Sequence, residues 1–283
     1  ENCYRFASAI FTPSPSGSEL QVKQMLCRRR SRGARRENRI ELARTSGRRR
    51  INFVERRGVF VYSAVLWDWN GTLLNDVEEN ICIVNELLAK RSLPGITKET
   101  YKRFFRMPIK DFYKDIGFDF SKESFEKIAH DYNEQFTKRF SYMPLTSEIE
   151  GILKYIEDCN ITQYIVSASE QKSLDRQVSE KNISKYFKKI VGNDDYSVVS
   201  KIEKAKELRR SLHENEKILF IGDMYHDYEV AEAIGADCIL YRNGHQETKE
   251  NKNYKIINRM EEIKEVVRCF RAGPPADGTK GCE

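Results

Sequence analysis

Short apolar runs alternate with amphipathic stretches through most of this chain, and this alternation constrains its fold more than any other feature. The apolar runs predict β-strands at Ala64–Trp67, Ile161–Val166, Lys189–Val191, Ile218–Ile221 and Cys238–Tyr241. The amphipathic stretches predict helices, among them Gln171–Lys181, Lys201–Leu212 and Tyr228–Ile234. Such an alternation is typical of a parallel sheet covered by helices. We therefore expect an α/β fold.

One interval of about 95 residues, between the first and second predicted strands, breaks this alternation. Its beginning carries apolar residues three and four positions apart, which share one helical face, at Val77, Ile81, Val84 and Leu88. The rest of the interval is rich in phenylalanine and tyrosine. We expect a small helical domain, residues 76–145, inserted into a core formed by residues 61–75 and 146–270.

The charge of the chain is distributed unevenly. Residues 1–60 hold 15 basic and 5 acidic residues, whereas the remaining 223 hold 34 basic and 38 acidic residues. Arginine clusters and weak apolar periodicity predict a disordered basic arm over residues 1–60, and residues 271–283 have the composition of a disordered tail. Three interpretations of the arm stay open: a nucleic-acid arm, an organelle-targeting segment, or translated sequence upstream of the true start, which we favour.

Cysteine usage and hydropathy bear on the compartment and the partners. The seven cysteines are widely spaced and form no C-x-x-C pair, which argues against a disulfide framework and a zinc site and favours a reducing, cytoplasmic compartment. The strongest apolar segment, residues 58–67, has about half of the roughly 20 residues that a spanning helix needs. We expect no membrane span. Nucleic acid is disfavoured because the arm alone is basic and lacks interleaved aromatic residues; the oligomeric state stays open.

Polar residues follow the predicted strands at the points where these strands end. Asp68 follows the first strand, Ser167 ends the second, and Asp223 and Asp227 follow the fourth, while Lys201 opens a helix. Ligands bind at the carboxyl edge of open parallel sheets, so these side chains predict a binding site there. Each residue also has an ordinary interpretation, since aspartate and serine commonly form turns and helix caps and a lysine is commonly solvated.

The chemistry of these residue types favours a divalent cation and an anionic ligand. Three carboxylates at one edge repel one another unless a cation or a proton intervenes. Mg²⁺ fits because it takes oxygen ligands, usually one or two carboxylates together with substrate phosphate. Ser167 and nearby backbone N–H groups offer donors to an anionic oxygen, and Lys201 at a helix N-terminus, where a cation is disfavoured, suggests an anionic partner.

In their order along the chain, these residues resemble the four motifs of the haloacid dehalogenase-like hydrolase superfamily, namely Asp68 in DWNGT, Ser167, Lys201, and Asp223 with Asp227 in GDMYHD. The resemblance covers about residues 61–269. The helical insertion resembles the type-one cap of phosphoglycolate phosphatase-like members. The resemblance implies a Rossmann-like core with a helical cap, and a Mg²⁺-dependent phosphatase that acts on a small phosphorylated metabolite.

The resemblance also implies a role for each matching residue. Asp68 would attack the phosphoryl group and form an aspartyl-phosphate that water hydrolyses. The metal would be held by Asp68, the backbone carbonyl of Asn70, Asp223 and Asp227. Phosphate oxygens would be bound by Thr72, Ser167, Ala168 and Lys201.

Asn70 departs from the commonest pattern of the superfamily, in which this position is a second aspartate that acts as general acid and base. An amide cannot exchange a proton as a carboxylic acid does, and such help is worth about 10²- to 10⁴-fold in rate. Three explanations stay open: a slow or activated-ester-specific phosphatase, a protein that binds phosphorylated ligands without turnover, or an enzyme in which another group supplies the proton. His226 is a candidate proton carrier.

Substrate choice is expected to depend on the helical insertion, because the core motifs recognise only phosphate and metal. Arg106 and Lys110 are candidates for recognising an anionic leaving group, and the alternative for both is a solvated helix face. Two other functions remain alternatives: a phosphotransferase or mutase that uses the same aspartyl-phosphate, and a non-catalytic protein that binds phosphorylated ligands.

Overall fold

The computed structural model describes residues 62–193 and 201–267, so the predicted arm (1–60) and tail (271–283) lie outside the described residues. Each predicted strand is present within these ranges, with bounds shifted by a few residues at most. The strands are β1 Ala64–Trp67, β2 Thr162–Glu170, β3 Lys189–Asn193, β4 Ile218–Gly222, β5 Asp237–Tyr241 and β6 Lys255–Ile257. The sequence analysis did not predict β6, because three residues are too short to show a periodic pattern.

The strands form one parallel sheet in the order β3-β2-β1-β4-β5-β6. β1 lies between β2 and β4, and its residues Val65 and Trp67 pack with one hydrophobic layer while Ala64 and Leu66 pack with the other. Side chains of a strand alternate between the two faces of a sheet, so both faces are buried here. The predicted α/β, Rossmann-like fold is confirmed.

Helices connect the strands, as the alternation predicts. The insertion between β1 and β2 contains α1 Val77–Ala89, α2 Lys98–Phe104, α3 Ile109–Asp115 and α4 Phe125–Arg139. The remaining helices are α5 Ile149–Asp158, α6 Gln171–Glu180, α7 Lys201–Arg210, α8 Tyr225–Ile234 and α9 Ile263–Val266. α8 begins three residues before its predicted start, directly after the Asp223 turn.

The helical insertion, α1 to α4, packs through apolar and aromatic side chains. The predicted face of α1 is buried, since each of its four members is at most 8% exposed: Val77, Ile81, Val84 and Leu88. Aromatic residues of α2 to α4 form a chain of ring contacts. All described residues fall in one compact unit, and the boundaries at residues 76 and 145 remain a prediction.

Two short segments pair where the chain leaves the core and returns. Leu74 and Leu145 form an antiparallel bridge. The N–H of Asn75 donates to the Pro144 carbonyl at 2.9 Å, and the N–H of Thr146 donates to the Leu73 carbonyl at 2.9 Å. The insertion therefore begins and ends at neighbouring points beside the end of β1.

No helix within residues 62–193 and 201–267 is long and apolar enough to cross a membrane. Cys82 and Cys238 are free thiols, whereas Cys159 is disulfide-bonded. The expectation of reduced cysteines therefore does not hold at Cys159.

Candidate active site

Asp68 lies at the carboxyl end of the central strand, where the sheet order places it between its two neighbours. Its backbone N–H donates to the Ile221 carbonyl at 2.8 Å, which continues the pairing of β1 with β4. Its carboxylate is buried and accepts a hydrogen bond from the ammonium group of Lys201, the first residue of α7. The predicted anionic partner of Lys201 is therefore a carboxylate of the same chain.

Asp227 and Asp223 complete an acidic cluster around this lysine. Asp227 Oδ1 lies 2.6 Å from Lys201 Nζ, and its Oδ2 accepts from the N–H groups of Asp223 at 3.0 Å and Met224 at 2.9 Å. Asp227 thus closes the first turn of α8 while it faces the lysine. Carboxylate oxygens of Asp68, Asp223 and Asp227 all lie within 4.8 Å of one another.

The acidic cluster, defined as Asp68, Asp223 and Asp227, sets three carboxyl groups around the one ammonium group of Lys201. Burial and the nearby Asp227 raise the pKa of Asp68 to about 7, although Lys201 opposes the shift. Burial also raises the pKa of Asp223 well above its ordinary value. A cation bound at this edge of the sheet would favour the ionised forms of these carboxyl groups.

Gly71 gives Asp223 the room to face the cluster. Its φ is +71°, and a Cβ there would lie 2.5 Å from Asp223 Oδ2 and 2.6 Å from a ring carbon of His245. Both the left-handed backbone and the close approach require glycine at this position. The turn after β1 therefore brings Asp68 and Asp223 close together.

The candidate phosphate-binding residues lie along the same edge. Ser167 is buried, and its hydroxyl accepts from the Ser169 N–H at 3.1 Å. The Thr72 hydroxyl points to Asp223 Oδ1 at 3.4 Å. The Ala168 carbonyl accepts from the Asn193 side chain at 2.9 Å. Of the three, Thr72 contacts the acidic cluster through Asp223, and the role of all three toward phosphate stays a prediction.

Asn70 is held at both ends of its side chain. Its Nδ2 donates to Asp76 Oδ2 at 2.7 Å, and its Oδ1 accepts from the Ser169 hydroxyl at 3.0 Å. Asp76 also accepts from the Gly71 N–H at 2.8 Å and from Asn80 Nδ2 at 2.9 Å. The Asn70 amide is therefore part of a hydrogen-bond network that fixes the turn after Asp68.

His245 links this network to the acidic cluster and to the helical insertion. Its Nε2 lies 3.0 Å from Asp76 Oδ1, its backbone N–H donates to Asp223, and its Nδ1 lies 2.9 Å from the Tyr101 hydroxyl. The ring stacks on Phe105. The carboxylate of Asp76 raises the pKa of His245 to about 8, against the effect of burial.

The segment that carries His245, which follows β5, also contacts the helical insertion beyond its ring. Lys102 Nζ donates to the Arg242 carbonyl at 2.8 Å, and the Glu247 N–H donates to the Lys102 carbonyl at 2.9 Å. Gln246 donates to the Phe105 carbonyl at 2.9 Å. Helix α2 of the insertion thus packs on a core segment that touches Asp223.

Three other predicted residues lie in different surroundings. Arg106 is exposed and forms an ion pair with Asp115. The Lys110 ammonium lies 5.1 Å from the ring centroid of Phe120. His226 Nδ1 lies 2.9 Å from a carboxylate oxygen of Glu229 on the same helix. Among these contacts none reaches the acidic cluster, so the roles of the three residues stay predictions.

Three residues of the site were not predicted from the sequence, namely Asp76, Ser169 and His245. The signal for His245 was available, because it follows β5 after an Asn-Gly turn and so lies at the carboxyl edge, where the other candidates were sought. Asp76 was predicted only as the first residue of the helical domain. Ser169 lies three residues beyond Val166, the predicted end of its strand, whereas β2 continues to Glu170.

The donor set fits a hard divalent cation. Three carboxylates supply only oxygen atoms, and the described residues place no cysteine or histidine side chain among them. This is the chemistry that Mg²⁺ prefers. Asp68 and Asp223 have oxygens close to the other members of the acidic cluster. Asp227 uses one of its oxygens to accept hydrogen bonds in the first turn of α8.

The sequence and the fold both match known proteins. The model of the family described as haloacid dehalogenase-like hydrolase matches residues 65–241. A haloacid dehalogenase-like family hydrolase from Streptococcus pneumoniae aligns with a TM-score of 0.64 at 17% identity, covering 73% of this chain and 99% of the other.

Two further solved structures share the fold. A protein from Haemophilus somnus described as a predicted phosphoglycolate phosphatase aligns with a TM-score of 0.62 at 15% identity, covering 75% of this chain and 100% of the other. A predicted phosphatase from Clostridium acetobutylicum gives 0.60 at 21% identity, with 74% and 99% covered. No curated protein gives a significant match.

Proposed function

The chain belongs to the haloacid dehalogenase-like hydrolase family, and from this premise we propose that it is a Mg²⁺-dependent phosphatase for a small phosphorylated metabolite. The observation that carries the proposal is the meeting of Asp68, Asp223, Asp227 and Lys201 at one edge of the sheet. The fold neighbours described as phosphatases support it.

Asp68 is the nucleophile in this proposal. A carboxylate that is ionised needs no base before it attacks phosphorus, and attack yields an aspartyl-phosphate that water hydrolyses. Lys201 holds the carboxylate in place and supplies positive charge beside the reacting group. Ser167, Thr72 and the backbone at Ala168 bind the phosphoryl oxygens. Positioning and charge of this kind provide most of the catalysis in phosphoryl transfer.

The metal site consists of Asp68, the Asn70 carbonyl, Asp223 and Asp227. When bound, Mg²⁺ supplies positive charge that offsets the repulsion between an anionic nucleophile and an anionic phosphate. Gly71 and the His245 backbone N–H hold Asp223 against the cluster. These contacts keep two carboxylates close enough to share one ion.

The helical insertion acts as a cap over this edge, with residues 76–145 as its extent. Its α2 contacts the segment after β5, so the insertion lies where it can exclude water and contact a leaving group. Arg106 and Lys110 remain the candidates for substrate recognition. The cysteine spacing supports the cytoplasm as the compartment of the substrate, whereas the disulfide at Cys159 argues against it.

Phosphate release tests the proposal. We expect Mg²⁺-dependent release from 4-nitrophenyl phosphate, loss of release with a chelator, and loss in Asp68→Asn. The matched control is Asp158→Asn, an exposed aspartate whose partner is Lys154 on the same helix. Equal release from Asp68→Asn and the natural chain would refute the proposal. A chain that binds Mg²⁺ and phosphate without turnover would instead support the non-catalytic alternative.

A further inference from the structure

In the described part of the chain, the side chains that donate to Asp68 and Asn70 offer no free proton to a departing leaving group, because both are already engaged. The Lys201 ammonium binds Asp68 and Asp227. The Ser169 hydroxyl donates to Asn70. An amide at position 70 has no proton to transfer.

The buried histidine does not replace the missing acid. Both ring nitrogens of His245 are engaged, Nε2 with Asp76 at 3.0 Å and Nδ1 with the Tyr101 hydroxyl at 2.9 Å. The ring is 3% exposed and stacks on Phe105. It would have to leave all three contacts to reach a substrate. His226 pairs with Glu229 on its own helix.

We propose that the enzyme acts on phosphates whose leaving group departs as a stable anion without a proton, namely acyl phosphates, phosphoanhydrides and activated aryl phosphates. This inference rests on the proposed function and narrows its substrate class. Esters of aliphatic alcohols, which include phosphoglycolate, are poor substrates. The reason is that an alkoxide leaving without a proton is a strong base, whereas a carboxylate has a pKa of about 4 and a phenol one of about 10.

The reaction balances without an acid at position 70. An Asp68 oxygen forms a bond to phosphorus as the bond between phosphorus and the leaving oxygen breaks, and the leaving group departs with the electron pair as an anion. Water then attacks phosphorus, the bond to Asp68 breaks, and the carboxylate is restored. The proton of that water passes to the phosphate product or to solvent.

Because the reaction has two chemical steps, the dependence on the leaving group is not visible in every kinetic parameter. Hydrolysis of the aspartyl-phosphate is the same for every substrate, so kcat becomes independent of the leaving group when this step is slow. The ratio kcat/KM reports the first step, transfer to Asp68. The inference is therefore tested on kcat/KM.

The experiment compares acetyl phosphate, 4-nitrophenyl phosphate, phenyl phosphate and phosphoglycolate with the Mg²⁺-loaded full chain, using Asp68→Asn as background. In the natural chain we expect kcat/KM to fall along this series, by at least about 10²-fold from first to last, the lower range of general acid help. Equal values for acetyl phosphate and phosphoglycolate would overturn the inference. If none of the four substrates gives Asp68-dependent release, the proposed function itself is refuted.

A swap of amide and carboxylate provides the matched variant. Asn70→Asp combined with Asp76→Asn keeps the total charge and allows a hydrogen bond between the two side chains, while it places an acid at position 70. We expect the ratio of kcat/KM for phosphoglycolate to kcat/KM for acetyl phosphate to rise by about 10²- to 10⁴-fold. An equal change for all four substrates would contradict the inference.

Asn70→Ala covers the case in which the swap does not fold. It removes the amide without adding an acid, so kcat/KM should decrease along the four substrates as steeply as it does in the natural chain. A flattened series in Asn70→Ala would show that the amide itself causes the selectivity, which contradicts the inference. Thermal unfolding of each variant confirms that the folded protein is compared.

Discussion

The acidic cluster and Asp76 are both buried beside the end of β1, yet they are stabilised in opposite ways. Asp76 accepts hydrogen bonds from donors at both oxygens, and these donors with His245 lower its pKa although burial alone would raise it. In the cluster, burial and mutual repulsion raise the pKa values of Asp68 and Asp223. Asp76, whose oxygens are filled with hydrogen-bond donors, has a positioning role. The acidic cluster, which sets three carboxyl groups around one ammonium group, leaves room for a ligand.

Replacing Lys201 should have the largest effect on the free energy of unfolding. Lys201→Met leaves three buried carboxylates without their cation, and breaking a buried ion pair typically costs about 3–5 kcal/mol. We expect a loss of this size in the free energy of unfolding, measured by urea denaturation in chelator. Lys206→Met, at a lysine of the same helix with an exposed ion pair to Glu203, is the control. A loss of the same size in both variants would contradict the prediction.

Asp76→Ala should give the next largest effect. It removes the acceptor of four donors, those of Asn70, Gly71, Asn80 and His245. Buried donors without a partner cost about 1–3 kcal/mol each before relaxation and water entry, so we expect a total loss of about 2–4 kcal/mol. Asp76→Asn keeps one acceptor oxygen and should lose less. Equal stability of Asp76→Ala and the natural chain would show that the network is not saturated as described.

Mg²⁺ should distinguish the two regions directly. A ligand at 100 times its Kd stabilises the folded state by about 2.7 kcal/mol, so Mg²⁺ should raise the unfolding temperature of the natural chain. Asp223→Asn should abolish the increase, and Asp76→Asn should keep it. If both variants keep the increase, the metal binds outside the acidic cluster.

A carboxylate-to-amide change within the cluster should cost little when metal is absent. Asp223→Asn removes one repelling charge and keeps an oxygen for the His245 N–H. We expect the free energy of unfolding in chelator to change by no more than about 1 kcal/mol, in either direction, because less repulsion offsets weaker hydrogen bonds. If Asp223→Asn loses more free energy of unfolding than Asp76→Asn in the same urea titration, the prediction is contradicted.

His226→Gln should have the smallest effect. The ring is paired with Glu229 at the beginning of α8. Surface changes usually stay within about 0.5 kcal/mol, and we expect kcat/KM for 4-nitrophenyl phosphate to change by less than two-fold. A pronounced loss of activity without loss of stability would restore His226 as the proton carrier.

Much of this site could be predicted because its residues follow buried strands. Apolar runs locate β1 and β4, and the carboxyl ends of parallel strands meet at one edge, so Asp68 and Asp223 were placed together correctly. The helix-start lysine was also informative, since Lys201 opposes the helix dipole and is buried against carboxylates.

The network around Asp76 could not be predicted in the same way. Periodicity shows which residues are buried in a helix or strand, but it does not show how a loop after a strand folds back. His245 reaches Asp76 across 169 positions of sequence, and Tyr101 reaches His245 across 144. Each side chain alone is compatible with an ordinary loop or helix position, and only the folded arrangement reveals their contacts.

The paired segments at Leu74 and Leu145 have a consequence for how such a chain can change during evolution. Opposed residues in antiparallel pairs lie about 4.5–5.5 Å apart at their Cα atoms, so the core is interrupted by only a narrow gap. The insertion could be exchanged or extended without moving β1 or Asp68. Doubling the length of a flexible loop costs only about 0.6 kcal/mol more. If the insertion acts as the proposed cap, its exchange would change which substrates are admitted while Asp68 keeps its place at the end of β1.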